Sequence, residues 1–163
     1  MSRVRGQRPE GGGGRKPHGH GASRDDAKLI NLFHSTKHPA LAKPDQIILT
    51  WSGDPQTTQT IQWRTGTGVA KGQVQWVKKS AYNRFQPARP KRAKAGTFKM
   101  EDANLLNDPI VHRHTATLTG LEPDTTYLYS VGDGSDDGWS EMAEFTTAPG
   151  RTEPFSFVYM GDA

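Results

Sequence analysis

The stretch Leu118-Thr-Gly-Leu-Glu-Pro-Asp-Thr-Thr-Tyr127 decides the fold that this sequence predicts. A segment that alternates between polar and apolar residues lies on each side of it. Pro123 and Asp124 favour a turn between these two segments. We expect Leu121 to close one end of a hydrophobic core. The ring of Tyr127 should pack inside that core while its hydroxyl bonds to nearby backbone.

The same alternation continues along the chain in both directions and indicates about seven short strands separated by turns. The stretch from Arg84 to Lys94 contains prolines and several bases, so we predict a loop or a ragged edge there. Short strands at regular intervals are typical of an antiparallel β-sandwich of the all-β class. The predicted strands are Gln46–Trp51, Thr58–Arg64, Gln73–Val77, Lys94–Met100, Val111–Leu118, Thr126–Val131 and Trp139–Thr147.

The stretch Leu118–Tyr127, with an alternating strand on each side, resembles the loop that leads into the tyrosine corner of a fibronectin type III domain. The resemblance implies a fibronectin type III or immunoglobulin-like sandwich over residues 44–147, with Trp51 or Trp63 as its core tryptophan. The chain has no cysteine, which excludes disulfides and thiolate metal sites. The missing cysteine pair fits fibronectin type III better than antibody-type domains. A different sandwich with a tyrosine after a proline turn is the alternative.

The N-terminal part of the chain has a different composition. Residues 1–26 are rich in Gly, Arg, Pro and His and predict a disordered basic tail. In the lead-in over residues 27–43, Ala27–His34 groups apolar residues in a way that favours a short helix, with Ser23 as its N-cap. The sequence contains no apolar run long enough to span a membrane and no secretory signal, so it leaves the compartment open.

Charge is distributed unevenly along the chain. Between Pro55 and Met100 there are ten Lys and Arg and no acid, whereas from Glu101 onward there are twelve acids and two bases. Such an asymmetry is compatible with a nucleic-acid face. The bases are not interleaved with aromatic residues, as single-strand binders require. We therefore expect the basic and acidic strands to neutralise each other, with neither nucleic acid nor a membrane as a partner.

The C-terminal residues leave the pattern of the sandwich. Residues 148–154 have the composition of a linker. Residues 155–163, FSFVYMGDA, form an apolar run that ends in Gly161 and Asp162. Such a strand is typical of the middle of an α/β sheet, which presents ligands at its carboxyl end. A carboxylate placed there suits hard or borderline metal ions.

A sandwich, a short linker and a strand ending in Gly-Asp together resemble the front of a purple acid phosphatase of the metallophosphoesterase superfamily. Gly161 and Asp162 match the first two positions of that family's Gly-Asp-x-Gly block, and Asp162 is the only metal ligand that carries over. The family's Gly-Asp-x-x-Tyr and Gly-Asn-His blocks are absent. We therefore expect residues 155–163 to be the first strand of a truncated catalytic domain that lies in cis beyond residue 163.

The resemblance also implies what the whole enzyme does. It would hydrolyse a phosphomonoester at two metal ions, iron plus zinc, manganese or iron, with a metal-bound hydroxide attacking phosphorus. On this interpretation the 163-residue chain contains no catalytic residue, binds no metal by itself and is inactive.

The histidines are weaker candidates for a metal site. The two in the tail fit the family's Gly-His-x-His block poorly, because their order along the chain is wrong. The pair in the strand Val111–Leu118 shares a face, which is a geometry that can bind metal, but no third ligand is nearby in sequence. The histidines are His18, His20, His34, His38, His112 and His114.

Two further functions are compatible with the sequence. A stand-alone fibronectin type III adhesion or spacer module would explain the sandwich but not the apolar strand after the linker. A basic module that binds nucleic acid or an anionic surface would bind with an affinity that falls steeply with salt. Gly-Asp-x-x-Tyr and Gly-Asn-His blocks in the reading frame past Ala163 would favour the phosphatase over both.

Overall fold

The structure, a computed structural model, describes residues 33–83 and 88–161. Within these ranges the chain forms eight strands and one short 3-10 helix, η1 (Lys79–Ala81). The described part of the chain contains no helix long and apolar enough to cross a membrane. The strands are β1 (Asp45–Thr50), β2 (Gln59–Thr65), β3 (Gln73–Lys78), β4 (Lys91–Lys94), β5 (Gly96–Glu101), β6 (Ile110–Leu118), β7 (Thr126–Gly132) and β8 (Ala143–Thr146).

The strands build two four-stranded sheets, with the orders β1-β2-β6-β5 and β4-β3-β7-β8. Every ladder between these strands is antiparallel. In immunoglobulin nomenclature these orders are A-B-E-D and C′-C-F-G. The chain passes from one sheet to the other after β2, β4 and β6, as in an immunoglobulin-like sandwich. The fold is therefore an all-β, fibronectin type III-like antiparallel sandwich, as the sequence predicts, with eight strands instead of seven.

The additional strand is β4, which lies in the stretch expected to be a loop or a ragged edge and forms an edge of its sheet. It pairs along its whole length with β3, from Gln73 to Trp76. As an edge strand it needs few apolar residues, and only Ala93 packs against the core. Lysine and arginine at an exposed edge also discourage pairing with other chains. The return strand is shorter than predicted, because Trp139 makes only an isolated bridge to Gly132.

The core lies between the two sheets and is formed by alternate residues of the inner strands. Trp63 on β2 is completely buried, whereas Trp51 is 71% exposed. Trp63 is thus the core tryptophan, and Trp51 is not, because β1 ends at Thr50 and Trp51 follows it into the turn. The core residues are Ile61, Trp63, Val74, Trp76, Ala116, Leu118, Leu121, Tyr127, Tyr129, Val131 and Phe145.

The lead-in attaches to the sandwich as an extended strap over residues 33–43. His34 forms an isolated parallel bridge with Leu105 in the β5–β6 connection. Further along, the N–H of Gly66 donates to the carbonyl of Leu41 at 2.7 Å. The predicted helix over Ala27–His34 is therefore wrong at its His34 end, which is bridged as extended backbone. Its other residues up to 32, and the predicted tail over residues 1–26, lie outside the described residues.

Candidate functional site

The corner between β6 and β7 depends on two residues with left-handed backbone. Gly120 has φ of 65° and Asp124 has φ of 50°. Glycine adopts this region without strain, and Asp tolerates it better than most residues. Between them, Leu121 is buried against the core, and its N–H donates to the carbonyl of Thr57 at 3.0 Å. This loop therefore closes the end of the sandwich from which the chain leaves.

Tyr127 is the residue that connects this corner to the core. Its side chain is 4% exposed, and its ring stacks on Phe145 with the ring centroids 5.5 Å apart. Its hydroxyl oxygen accepts a hydrogen bond from the N–H of Glu122 at 2.9 Å. A hydroxyl that bonds to backbone a few residues upstream is the geometry of a tyrosine corner. Pro123 precedes Asp124 in the turn, and its carbonyl accepts the Thr125 hydroxyl at 2.9 Å.

Ala148 fixes the direction in which the chain leaves the sandwich. Its N–H donates to the carbonyl of Pro55 at 3.0 Å, and its carbonyl accepts the N–H of Asp124 at 3.1 Å. The neighbouring Thr147 hydroxyl donates to the carbonyl of Glu122 at 2.6 Å. We call this arrangement around Ala148 the exit clamp. The predicted linker over residues 148–154 thus begins with a residue that the sandwich holds on both sides.

The apolar run after the linker has no partner in the part of the chain that the structure describes. Residues 154–161 form no strand, and their apolar side chains are exposed. Asp162, the predicted metal ligand, lies outside the described residues, one position after Gly161. The exposed side chains are Phe155, Phe157, Val158, Tyr159 and Met160.

His112 and His114 share the inward face of β6, but the fold already uses both ring nitrogens of His114 and one of His112. His114 is fully buried, and its two nitrogens each lie 2.8 Å from a threonine hydroxyl, Thr65 Oγ1 on one side and Thr97 Oγ1 on the other. Nδ1 of His112 donates to the carbonyl of Val69 at 2.8 Å. A metal ion at His114 would have to displace one of these hydrogen bonds.

The environment of His114 also favours its neutral form. Burial lowers the pKa of His114 below its ordinary value, and the nearby charge of His112 lowers that pKa further. The imidazole stacks on Trp63 with the ring centroids 5.3 Å apart. A Cβ at Gly72 would lie 2.7 Å from Trp63 Cζ2 and 2.8 Å from His114 Nδ1, so glycine is required beside this stack. The stacked rings of Trp63 and His114 are therefore part of the buried interior.

The described residues do not fit a metal centre. Across residues 33–83 and 88–161, no group of three or more His, Asp or Glu side chains is arranged to hold an ion. His34 lies in the strap and forms a backbone bridge there. The carbonyl of His38 accepts a hydrogen bond from Arg64 Nη2 at 3.0 Å. His18 and His20 lie outside the described residues.

Arg64 organises a buried ion-pair network that the sequence did not reveal. Its Nε and Nη2 atoms donate to the two carboxylate oxygens of Asp45 at 2.8 and 2.6 Å. Its Nη1 lies 3.5 Å from Asp108 Oδ2, and that carboxylate accepts the N–H of Ala40 at 2.8 Å. The hydrogen bond to Asp45 raises the pKa of Arg64. The network therefore binds the strap to the outer side of β2.

Acids of the later half of the chain pair with bases of the acid-free segment, as expected from their uneven distribution. Hydrogen bonding to Glu122 raises the pKa of Lys78, and the other pairs are exposed except for that of Arg64. Charges that are paired in this way offer less to an anionic polymer than the sequence alone suggests. Within the described residues, the pairs between the two halves are Arg64–Asp108, Lys78–Glu122, Lys79–Glu144 and Lys99–Glu101.

The strand order, the core tryptophan and the tyrosine corner define the class: this is a fibronectin type III-like domain. Residues 44–147 match the family described as the purple acid phosphatase N-terminal domain. The match covers more than half of the chain, and the chain belongs to that family.

Solved structures that the chain is similar to include two human fibronectin type III domains. The domain of contactin 1 is 16% identical, with 76% of this chain and 92% of that chain covered and a TM-score of 0.44. The domain of the collagen alpha-1(XX) chain is 19% identical, with 76% of this chain and 100% of that chain covered and a TM-score of 0.43. The strand order and the core define the fold independently of these likenesses.

Proposed function

We propose that this chain is the non-catalytic N-terminal domain of a metal-dependent acid phosphatase. The whole enzyme would hydrolyse phosphomonoesters at a two-metal site in a catalytic domain that lies in cis beyond residue 163. The observation that carries this proposal is the family match, whose residues 44–147 enclose all eight strands from Asp45 to Thr146. The similarity therefore extends over the complete sandwich and is not confined to one motif.

The chain's own residues define what it contributes to such an enzyme. Since the described residues contain no metal-binding group, the two metal ions, iron plus zinc, manganese or iron in the family, would be held by the catalytic domain. Asp162 is the one ligand that this chain would supply, from the end of the run that begins at Phe155. The exposed apolar side chains of that run support this assignment, because a strand apolar on both faces needs a covering sheet and helices.

Two proteins test the proposal, the 163-residue chain and the chain extended by its reading frame to the end of the catalytic domain. We expect the short chain to hydrolyse no generic phosphomonoester and to contain no stoichiometric iron, zinc or manganese. We expect the extended chain to hydrolyse the phosphomonoester and to contain stoichiometric metal, and we expect Asp162→Asn to remove most of the metal and activity. Asp136→Asn, in the exposed tip between β7 and β8, is the matched control and should change neither.

Metal analysis and a phosphatase assay on the purified proteins separate the outcomes. A short chain with about one metal ion per molecule, or with turnover, would contradict the proposal. A frame without the family's Gly-Asp-x-x-Tyr and Gly-Asn-His blocks would instead favour a stand-alone spacer module. The observation in favour of that second candidate is the closed core, which is complete within residues 44–147.

A further inference from the structure

The end of the sandwich from which the chain leaves has a defined surface. It consists of the β1–β2 turn, Trp51–Thr58, the corner loop, Gly120–Thr125, and Ala148 of the exit clamp. Backbone hydrogen bonds join all three parts, since Leu121 donates to the turn and Ala148 bonds to both the turn and the loop. We call this the exit-end surface, and its internal bonding makes it a rigid platform.

Trp51 is the unusual residue of this platform. Its indole follows β1 into the turn and is 71% exposed, although the same turn is otherwise polar. Tryptophan is the residue type most enriched at the energetic centres of protein interfaces, and a large exposed ring has a hydration cost that a partner would remove. Trp51 is not a member of the core cluster, whose tryptophans are Trp63 and Trp76.

The length of the linker decides which surface a following domain can reach. Pro149–Pro154 comprises six residues and spans at most about 20 Å when fully extended. Phe155 must therefore begin close to the exit end. Phe98 is also exposed, at 54%, but it pairs with Arg113, five residues before the exit end of β6 at Leu118. At the rise of a β-strand this places Phe98 about 17 Å farther up the sheet.

We infer that the catalytic domain in cis docks on the exit-end surface, with Trp51 as the aromatic anchor. The inference rests on the proposed function, because it takes that domain as the partner. The exit clamp fixes the direction of the chain at Ala148, and the short linker holds the two surfaces at high local concentration. Burial of Trp51 then sets the relative orientation of the two domains.

Trypsin cleavage after Arg151 tests this docking in the extended protein. Arg151 lies in the linker, and its side chain is 76% exposed in the structure, so docking should shield it. We expect Trp51→Ala to accelerate cleavage there about tenfold, because loss of an aromatic anchor typically opens an interface by at least that factor. Trp51→Phe should restore much of the protection. Phe98→Ala is the matched control and should stay close to the parent rate.

The short chain provides the second measurement. Trp51→Ala should leave its melting temperature and its cleavage at Arg151 unchanged, since Trp51 contacts no partner there. An extended protein that is an active phosphatase but is cleaved equally fast with and without the Trp51→Ala substitution overturns the docking alone. A frame without a phosphatase domain overturns the proposed function and the docking with it. Concentration-dependent dimers of the short chain that Trp51→Ala abolishes would show self-association and would also overturn it.

Discussion

Substitution of Tyr127 by Phe tests whether the tyrosine corner holds the fold together. The change keeps the ring, which stacks on Phe145 at 5.5 Å, and removes only the hydroxyl that accepts the Glu122 N–H at 2.9 Å. The N–H loses its partner at a half-buried position, which costs about 1–1.5 kcal/mol. For a domain of this size that loss corresponds to about 4–6 °C in melting temperature.

Equilibrium unfolding in urea is the assay, with fluorescence of the tryptophans as the signal. Tyr129→Phe is the matched control. Tyr129 lies on the same strand, is 5% exposed and also packs on Phe145, with centroids 5.7 Å apart. No hydrogen bond of its hydroxyl is seen within the described residues, so its removal should change the free energy of unfolding by less than about 0.5 kcal/mol.

Tyr127→Ala extends the series, because it also leaves a cavity in the core and should cost about 3–5 kcal/mol. The reasoning is refuted if the urea curve of Tyr127→Phe overlays that of the parent, or if Tyr129→Phe is equally destabilising. An unchanged m-value is required for the comparison, since a changed slope would indicate an altered denatured state.

Three further predictions concern buried charge and the exposed run. The parent should lose stability below pH 6.5, the ordinary pKa of histidine, because His114 takes up a proton in the unfolded chain but resists it when buried, where its pKa is lowered. The urea midpoint of His114→Gln should therefore fall less than that of the parent between pH 7.5 and 5. An equal dependence of the two midpoints on pH would contradict this. Arg64→Met should cost about 2–3 kcal/mol in urea unfolding, because Asp108, 11% exposed, loses its cation, whereas Lys99→Met at an exposed pair should cost under about 0.5. Deletion of Pro154–Ala163 should raise the solubility limit seen by light scattering, and unchanged solubility would mean that the run is not sticky.

The sequence predicts those parts of the fold that depend on neighbouring residues. The turn at Pro123 and Asp124 and the alternation of β6 and β7 are local patterns, so the corner could be located before the structure was known. The choice between Trp51 and Trp63 could not be made in this way, because each tryptophan lies at or next to the end of a predicted strand. The decision came from strand pairing, which continues past Trp63 and stops before Trp51.

The ion-pair network and the buried histidine needed contacts between distant parts of the chain. Arg64 meets Asp45 across one ladder and Asp108 through a loop, and no spacing rule connects the three positions. The one available signal was that Arg64 lies in the same predicted strand as Trp63. A charged side chain that is buried in a strand needs a partner of opposite charge. His114 was a metal candidate because sequence periodicity predicts which face of a strand a side chain occupies. It does not predict that neighbouring strands place the hydroxyls of Thr65 and Thr97 next to the imidazole.

The corner and the exit clamp meet at one residue, Glu122, which couples the stability of the core to the direction of the linker. The N–H of Glu122 bonds to the hydroxyl of Tyr127, and its carbonyl accepts the hydroxyl of Thr147, the residue before Ala148. Glu122 is held through both of its backbone polar groups and should lose most of its order when either hydroxyl is removed, so the second removal should cost less than the first. A double-mutant cycle of Tyr127→Phe and Thr147→Val should therefore show a coupling of about 0.5–1 kcal/mol in urea unfolding. Strictly additive free energies would mean that the two hydroxyls act independently, and that the core has no effect on how the chain leaves the sandwich.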